Sequence, residues 1–554
     1  MAEPNTIPKT APKTSAELGE FVEARLKSLE ALRAPWEPVW ADLADYFMPR
    51  KAGQFRGERS PGRAGDDRIY DSTPGECLLR LGGNLGALLT NPNQEWFGAR
   101  HKDQRRNDDS RVKGWLAECV EGLGNWFASD RTGFQTGVCE FYLDWPLFGT
   151  APFYVEADPK SVVRFTARPL AEVYAAENWR GEVDTVFRRV EMDAVEVVAE
   201  WPHSCPRELR EKAAREPHAV VRVVHAVFPR RDRNPGAGLG AGDFPFASVY
   251  LLPEPRTVLE ESGFLELPYM LPRWAKIPRE VWGRGPGLSA LADVRVLNAM
   301  GRTALLAGEK MADPPLMVPD DDFLGPVRTG PGGLSYYRSG SSDRIEPLPV
   351  AVDLRAVEAM MEQKRQAIRA MLFVDAFDTG ESPAKTATQV LVEDGRKMTA
   401  LGGMLARAQA EFLGPLLRRV WGIARRAGEL PEPPNGVSLD DVELHYTSPL
   451  ARAQRQESAR AVAMAVELLA PFIGKDDPFG VMDNYDTDKV TRGVNEAVGT
   501  PPEYLRAEDE VAKGREGRQQ AAAGDRALAE ARELAGAAAD AGKAGLLPGA
   551  RGGA

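Results

Sequence analysis

Several side chains in this sequence could do chemistry, but their spacing does not match that of a known catalytic or metal site. The histidines are His101, His203, His218, His225 and His445. None of them belongs to an HExxH pattern or lies beside a cysteine pair, which are the arrangements that hold zinc. We therefore predict neither a metal nor a cofactor.

Two groups of adjacent carboxylates could bind a cation or exchange protons: Asp66-Asp67 and Asp320-Asp321-Asp322. Both groups occur in stretches rich in glycine, proline and polar residues, which are typical of loops. Carboxylates in such loops are usually exposed to water and have no chemical role. We favour that interpretation for both groups.

A run of alternating glycines, Gly236, Gly238, Gly240 and Gly242, resembles the loops that hold phosphate. Such loops lead into the N-terminus of a helix, whereas this run is followed by the strand-like segment DFPFASVYLL. A loop between two strands of a hairpin is therefore the better interpretation. The sequence also lacks GxxxxGK[ST] and GxSxG motifs, so we predict that the chain is not an enzyme.

The composition is that of an ordinary folded protein, with 43% hydrophobic and 27% charged residues among 554, enough for two to four domains. The formal net charge is −11. Proteins that grip nucleic acid usually carry a basic face, so an acidic chain argues against a tight DNA binder. It does not argue against a protein that DNA slides past.

No segment has the features of a membrane span or of a secretory signal. The best apolar run, residues 461–474, is too short for a bilayer and contains Glu467. The N-terminal residues lack the apolar stretch of a signal peptide. The four cysteines are widely spaced, which favours reduced thiols over a disulfide framework.

The first half of the chain predicts helices followed by a sheet. Residues 1–15 are polar and we expect them to be disordered; a helix then begins with Ser15 as its N-cap. The aromatic residues between about 110 and 150 predict a packed core. From about 150 to 275 the hydrophobic period changes to two, which predicts an antiparallel sheet.

Two long amphipathic helices are predicted in the middle of the chain, with a small insert between them. The first covers 289–312, with apolar Leu291, Val294, Leu297, Met300 and Leu305 near one side. The second ends near Phe373 and carries its own stripe of Leu354, Val357, Met361, Ile368 and Leu372. A third helix begins near Thr386 and should kink at Pro415. We expect the two stripes to be covered only by neighbouring copies of the chain in a ring.

Four stretches carry a resemblance to a known family. They are W(x)3W(x)5YFMP at 36–49, IYDSTPGECLLRLGGNLGALLTNPNQEWF at 69–97, FTARPLAEVYAAENWRGEVDTVFRRVEM at 165–192, and WGRGPGLSALADVRVLN at 282–298. Followed in the same order by ADPPLMVPDD, TATQVLVEDGRKM and the proline-rich turn after the third helix, they resemble the head-to-tail connector (portal) family of short-tailed, podovirus-type phages. The resemblance covers about residues 15–510. Ala292 replaces an expected proline and Gln389 an expected acidic residue.

The resemblance implies an α+β portal fold that closes into a ring, which in similar proteins has twelve subunits. Its parts would be a disordered N-terminus (1–15), a wing (16–288), a first stem helix (289–312), a clip (313–350), a second stem helix (351–373), a tunnel loop (374–386), a long wing or tunnel helix (387–428), a crown (429–512) and a disordered or helical tail (513–554).

The same resemblance implies a virion component at one capsid vertex, assembled in the host cytoplasm, through which double-stranded DNA passes. The implied partners are the terminase large subunit, major capsid and scaffolding proteins, and tail adaptor proteins. Two alternatives stay open: a tail adaptor or tail-tube protein, and a nucleic-acid-processing enzyme.

Candidate residues in the channel follow from this plan. Lys310, Lys364, Arg365 and Arg369 are the candidate DNA contacts of the stem, although ion pairs between subunits would equally explain these charges. The candidate residues of the tunnel loop are Asp375, Asp378, Gly380, Glu381 and Lys385.

Overall fold

The computed structural model describes residues 14–57, 68–231, 233, 240–317, 336, 346–348, 353–377, 402–447, 459–462, 464–469, 484–498, 504, 506 and 508–543. Two compact units make up the chain. The first comprises Met1–Gly98, Val120–Leu430 and Leu444–Leu450, and the second comprises Ala99–Cys119, Pro431–Glu443 and Ala451–Ala554. Helices and strands are both abundant, which confirms the predicted α+β class at this level.

The main helices are α1 (Ser15–Arg33), α2 (Glu37–Phe47), α3 (Pro49–Arg56), α4 (Thr73–Leu89), α5 (Ser110–Ala128), α6 (Phe134–Phe148), α7 (Ala194–Glu200), α8 (Arg207–Arg215), α9 (Pro286–Ala312), α10 (Leu354–Met371), α11 (Val374–Phe377), α12 (Gly414–Ala427), α13 (Thr487–Val498) and α14 (Glu508–Lys543). The strands are β1 (Phe97–His101), β2 (Phe153–Asp158), β3 (Val162–Ala167), β4 (Val173–Glu177), β5 (Val183–Asp193), β6 (Val220–Pro229), β7 (Phe246–Leu252), β8 (Thr257–Phe264), β9 (Tyr269–Met270), β10 (Leu316–Met317), β11 (Glu346–Pro347) and β12 (Val442–Tyr446).

The N-cap of helix α1 differs from the predicted one. Thr14, not Ser15, is the N-cap: its hydroxyl accepts a hydrogen bond from the backbone N–H of Glu17, and the Glu17 carboxylate accepts one from the backbone of Thr14. This reciprocal capping box satisfies two N–H groups that would otherwise lack a partner. Residues 1–13, predicted to be disordered, lie outside the described residues.

The predicted antiparallel region forms a five-stranded sheet in the order β4-β5-β6-β7-β8. Neighbouring residues on each strand point to opposite faces, and both faces are covered. Val224 and Leu251 pack under α1, whereas Val223 and Leu252 pack against Trp201, which follows α7. Strands β6 and β7 pair directly, so the glycine run lies in a hairpin connection, as predicted.

Most of the aromatic residues between 110 and 150 are buried, which confirms the predicted core. A second sheet, in the order β3-β2-β9, packs beside α6. The ring of Phe141 on α6 stacks on Phe412 at 4.3 Å and contacts Phe153 on β2 at 5.6 Å. This cluster ties the long helix that contains Phe412 to the sheet.

Helix α9 begins where three glycines let two segments of backbone touch. A Cβ atom on Gly285 would lie 2.1 Å from the carbonyl oxygen of Pro146, at the end of α6. Gly283 and Gly149 approach each other equally closely. The glycines of the WGRGPG motif are therefore required by packing, and they fix where α9 leaves the body of the first unit.

The long helix before α12 contains a π turn at Ala408–Leu413, close to the kink predicted at Pro415. Proline has no N–H, so the α-helical hydrogen bond to Glu411 cannot form. Instead, the N–H of Gly414 donates to the carbonyl of Gln409, five residues earlier. The helix continues through this turn, and Gly428 ends it in the left-handed conformation.

In the second unit, helix α14 is a long exposed helix that begins at Glu508, within the segment predicted to be a crown, and continues through the tail. The Arg515 guanidinium on α14 binds both carboxylate oxygens of Asp488 on α13. The tail that was predicted as disordered or helical is thus helical as far as Lys543.

The lowered pKa of one buried histidine makes the stability of the fold depend on pH. His225 on β6 bonds Tyr269 and Ser248, and burial, with Arg188 and Arg168 nearby, lowers its pKa to about 3. The unfolded chain takes up a proton below about pH 6.5 but the folded chain does not. The contribution of His225 to the unfolding free energy is therefore fully present above that pH. Below it, the unfolding free energy should fall by about 1.4 kcal/mol for each pH unit as the pH decreases towards 3.

Urea denaturation at pH 7 and pH 5 measures this effect. The change in unfolding free energy between the two pH values should become smaller in His225→Gln and stay unchanged in the matched control His203→Gln, because His203 is exposed. An unchanged pH dependence in His225→Gln would show that other groups cause the acid sensitivity.

Candidate functional site

Helices α9 and α10 pack against each other and against the first unit, and this packing corrects one prediction. Leu291, Val294 and Leu297 of α9 are buried, as are Met361 and Ile368 of α10. These residues belong to the stripes that we expected only neighbouring copies to cover. That expectation is wrong for them, because α2, α4 and α6 of the same chain supply the contacts.

A different set of apolar side chains on these helices is left uncovered by the described residues. Its members are between 45% and 58% exposed: Val296, Leu305, Leu306, Met311 and Met360. Three of the five, Leu305, Leu306 and Met311, lie on the C-terminal half of α9. Large apolar side chains grouped on one pair of helices are typical of a protein–protein interface.

A groove of about 580 Å³ lies between the two helices in the same region. Its α9 wall consists largely of small residues, Gly301, Ala304, Gly308 and Ala312, and its α10 wall includes Leu354 and Val357. Small residues allow the backbone of a neighbouring element to approach closely. The groove therefore adds an apolar recess beside the exposed side chains.

The segment IYDST clamps α9 to α10 at one end of this groove. The Asn298 side chain on α9 accepts a hydrogen bond from the backbone N–H of Tyr70 at 2.8 Å and donates to the carbonyl of Arg68 at 2.9 Å. Gly301 leaves room for Tyr70, whose Cβ would be 3.1 Å from a Cβ at position 301. Asp71 then reaches α10, where it accepts a hydrogen bond from Arg365.

Three of the four candidate DNA contacts are held in ion pairs within the chain. Lys364 Nζ lies 2.7 Å from Asp293 Oδ1 on α9. Arg365 pairs with Asp71 at 2.9 Å, and also with carboxylates of its own helix.

Arg369 binds Glu362 at 3.0 Å. The cluster as a whole has three cations and four carboxylates, the latter being Asp71, Asp293, Glu358 and Glu362. These charges are thus neutralised inside one subunit, which differs from the pairing between subunits considered from the sequence. Lys310 is exposed and makes no ion pair with a described residue.

Burial and ion pairing act in opposite directions on Asp71. Burial disfavours its charged form, but hydrogen bonds from Thr73 and the pair with Arg365 outweigh that effect and hold the pKa of Asp71 below its usual value. The hydrogen bonds that Arg365 donates to Glu358 and Asp71 raise the pKa of Arg365. Both groups are therefore charged at neutral pH, and their pairing persists there.

Replacing Asp71 by asparagine should lower the unfolding free energy by about 1–3 kcal/mol, because Arg365 then loses a partly buried charged partner. The matched control is Asp42→Asn: Asp42 pairs with Arg295 on α9, and both side chains are nearly half exposed. Such a pair contributes less than about 1 kcal/mol. Equal losses in the two variants, measured by urea denaturation, would contradict the clamp.

The predicted tunnel loop is described only at its beginning. Phe373 has a φ of 57°, which ends α10, and Asp375 is exposed on the short helix α11. Asp378, Gly380, Glu381 and Lys385 lie outside the described residues. Of the five loop candidates, the structure thus describes Asp375 alone, and the assignment of the others stays a prediction.

Sequence reasoning did not identify the clamp residues as such, although they lie in motifs that it had singled out. Asn298 is a polar residue within an apolar helical segment, and Asp71 lies in IYDST. Their partners are far away in the chain: Arg365 lies 294 residues after Asp71. Only the folded structure shows that they meet.

Within the described ranges, no group of histidine, cysteine or acidic residues could hold a metal ion. The described cysteines Cys77, Cys119, Cys139 and Cys205 are free thiols. No helix in these ranges combines the length and the hydropathy needed to cross a bilayer. The chemically notable feature of the region is thus a neutralised charge cluster beside an exposed apolar surface.

Comparison with known proteins supplies the context for this arrangement. The model of the family described as bacteriophage head to tail connecting protein matches residues 20–505. The probable portal protein of Bordetella phage BPP-1 is 29% identical over 514 residues, which cover 90% of this chain and 91% of that protein. The portal protein of Salmonella phage epsilon15 is 27% identical over 525 residues, which cover 91% and 92% of the two chains.

The family match covers most of the chain and includes the helix pair, the clamp and the sheet. Proteins of this family are structural, so the match also confirms the prediction that the chain is not an enzyme. The chain therefore belongs to the family of bacteriophage head-to-tail connecting proteins.

Proposed function

We propose that the chain is a portal subunit, the head-to-tail connector at one capsid vertex through which double-stranded DNA is packaged and later ejected. The observation that carries this proposal is the pair α9–α10, which leaves Leu305, Met311 and Met360 exposed beside an apolar groove in a chain of the connector family. A closed ring would cover this surface, since one patch of each copy can meet a different patch of the next. We propose twelve copies.

In this proposal the parts keep the ranges that the resemblance implied. The wing is 16–288, the stem helices are 289–312 and 351–373, the clip is 313–350, the tunnel loop is 374–386, the helix after it is 387–428 and the crown is 429–512. The terminase large subunit would dock at the clip and supply the force for packaging. Major capsid and scaffolding proteins would surround the wing, and tail adaptor proteins would attach after packaging. The subunit would be a virion component assembled in the host cytoplasm.

The charge cluster suits a surface past which DNA moves. A ring multiplies every tight phosphate contact by the number of subunits, and such contacts would hold the duplex in place. Because Lys364, Arg365 and Arg369 are neutralised by carboxylates of their own chain, they offer little net attraction to phosphate. Lys310 is then the candidate that can contact the duplex transiently.

Deleting residues 378–386 should permit ring assembly but impair packaging or retention of DNA. This deletion begins after α11, so the buried side chain of Val374 is kept. Packaging can be measured as DNA protected from nuclease in an infection complemented with the variant. A matched control deletes residues 234–239, which lie in the β6–β7 connection. Normal packaging with the 378–386 deletion would refute the assignment of the tunnel loop.

A further inference from the structure

The side chain of Arg273 connects three separate segments of the first unit. It is 3% exposed and lies between β9 and α9. Its guanidinium binds the carboxylate of Glu411, in the π turn, through Nε at 3.1 Å and Nη2 at 3.0 Å. It also binds Glu177 at 2.8 Å and the carbonyl of Gly181 at 2.8 Å, both at the turn between β4 and β5.

Both carboxylate oxygens of Glu411, in the π turn, accept two hydrogen bonds each. The backbone N–H of Arg273 donates to the same carboxylate at 2.8 Å, and Arg407, one turn earlier on the helix, donates to it at 2.8 Å. Four N–H groups thus converge on the side chain of Glu411. A bidentate pair of this kind fixes the position of both partners more strongly than a single hydrogen bond does.

The other end of the network is a rigid turn. The Asn178 side chain accepts hydrogen bonds from the backbone N–H groups of Arg180 and Glu182, and Gly181 has a φ of 80°. Lys276 adds a second cation to Glu177 and also donates to the carbonyl of Gly181. The position of Arg273 therefore depends on this turn as well as on the helix.

A π turn has one residue more than the corresponding α-helical turn and is often found where a helix must adjust. A return to α-helical hydrogen bonding at 408–413 would shift the preceding residues 402–407 by one position, which is about 1.5 Å along the axis and about 100° around it. In that alternative register, Glu411 would lie at a different position from the one it has in the structure.

We infer that Arg273 couples these two elements: it holds the long helix in its π register and makes that register depend on the turn between β4 and β5. Glu411 can keep its four donors only when it lies in the π turn, and Arg273 can reach Glu411 only when Glu177 and Gly181 hold it. This inference is independent of the proposed function.

Hydrogen exchange of the full-length protein, followed by mass spectrometry, tests the coupling. Glu411→Gln should speed exchange in peptides covering 402–413 by about ten-fold or more, because buried charged hydrogen bonds are lost. Glu177→Gln, on a different element, should also speed it about ten-fold. The matched control is Glu266→Gln, which breaks the pairs with Arg419 and Arg426 on α12 and should affect peptides from 414–427 instead.

Three results of the exchange experiment would overturn the inference. One is unchanged exchange at 402–413 in Glu177→Gln, which would show that the turn and the helix are independent. Another is equal acceleration at 402–413 in Glu266→Gln, which would indicate general destabilisation. If Glu411→Gln does not fold, Arg273→Lys keeps the charge without the bidentate pair, and unchanged exchange in that variant would likewise refute the coupling.

The role of the proline can be separated from that of the arginine. In Pro415→Ala the obstacle to α-helical hydrogen bonding is removed while Arg273 stays in place. We expect the π turn at 408–413 to persist in a structure of this variant. An α-helical turn there would show that Pro415 alone imposes the π register and would overturn the role of Arg273.

Discussion

Replacing Leu305 by glutamate is expected to leave the chain folded but unable to form rings. Leu305 is 56% exposed and lines the groove between α9 and α10, so the substitution disturbs no core contact. In a ring the same position would be buried, and an unpaired carboxylate there would cost on the order of 3 kcal/mol or more at each interface. Mass photometry of the purified variant would then show single subunits.

The matched control for this prediction is Leu528→Glu on α14. Leu528 is 58% exposed and belongs to the second unit, whereas the helix pair belongs to the first. This control should assemble as the unchanged chain does. Rings of normal size in Leu305→Glu, or loss of rings in both variants, would contradict the assignment of the interface.

A large loss of stability is expected when Gly285, just before α9, is replaced by alanine. In Gly285→Ala the new methyl group would lie 2.1 Å from the carbonyl oxygen of Pro146, which belongs to backbone and cannot turn away. Either α9 or the end of α6 must move, and we expect the unfolding free energy to fall by at least about 3 kcal/mol. That is a large share of the 5–15 kcal/mol typical of a folded protein.

Gly83→Ala is the control, because a Cβ at Gly83 on α4 would meet nothing within 4 Å. Alanine is the better helix former, so this variant should gain up to about 1 kcal/mol. Urea denaturation of both variants gives the comparison. Similar unfolding free energies for the two would show that the contact at Gly285 is not required.

The elements of the fold followed well from local sequence patterns. Alternating β-branched residues predicted the antiparallel sheet, and the spacing of apolar residues predicted both long helices, because these patterns depend on neighbours in the chain. The exact cap was missed at Thr14, since Thr14 and Ser15 are both good N-caps and only Thr14 has Glu17 three residues later.

The faces of the long helices could not be assigned in the same way. An apolar stripe shows which side of a helix avoids water but not which element covers it. Leu291, Val294 and Leu297 are covered by the chain itself, whereas Leu305 is not, although all four belong to the stripe predicted for α9. The difference could not be predicted because α2 and α6, which cover the first part of α9 together with α10, are more than a hundred residues away from it in the sequence.

The charges of the candidate site show the same limit. Lys364, Arg365 and Arg369 were visible from the sequence as a group of cations on a helix. The carboxylates of Asp71 and Asp293 that neutralise two of them come from distant segments, and pairing across such distances depends on the complete fold. The resemblance to connectors, by contrast, could be recognised from motifs alone, and the family match confirms it.

Electron microscopy of the purified full-length chain tests the central claim most directly. The proposed portal function predicts rings of about a dozen copies around an open central channel, with α9 and α10 of neighbouring subunits in contact. A population of single, compact molecules at high protein concentration, with the groove between α9 and α10 open to solvent, would contradict it.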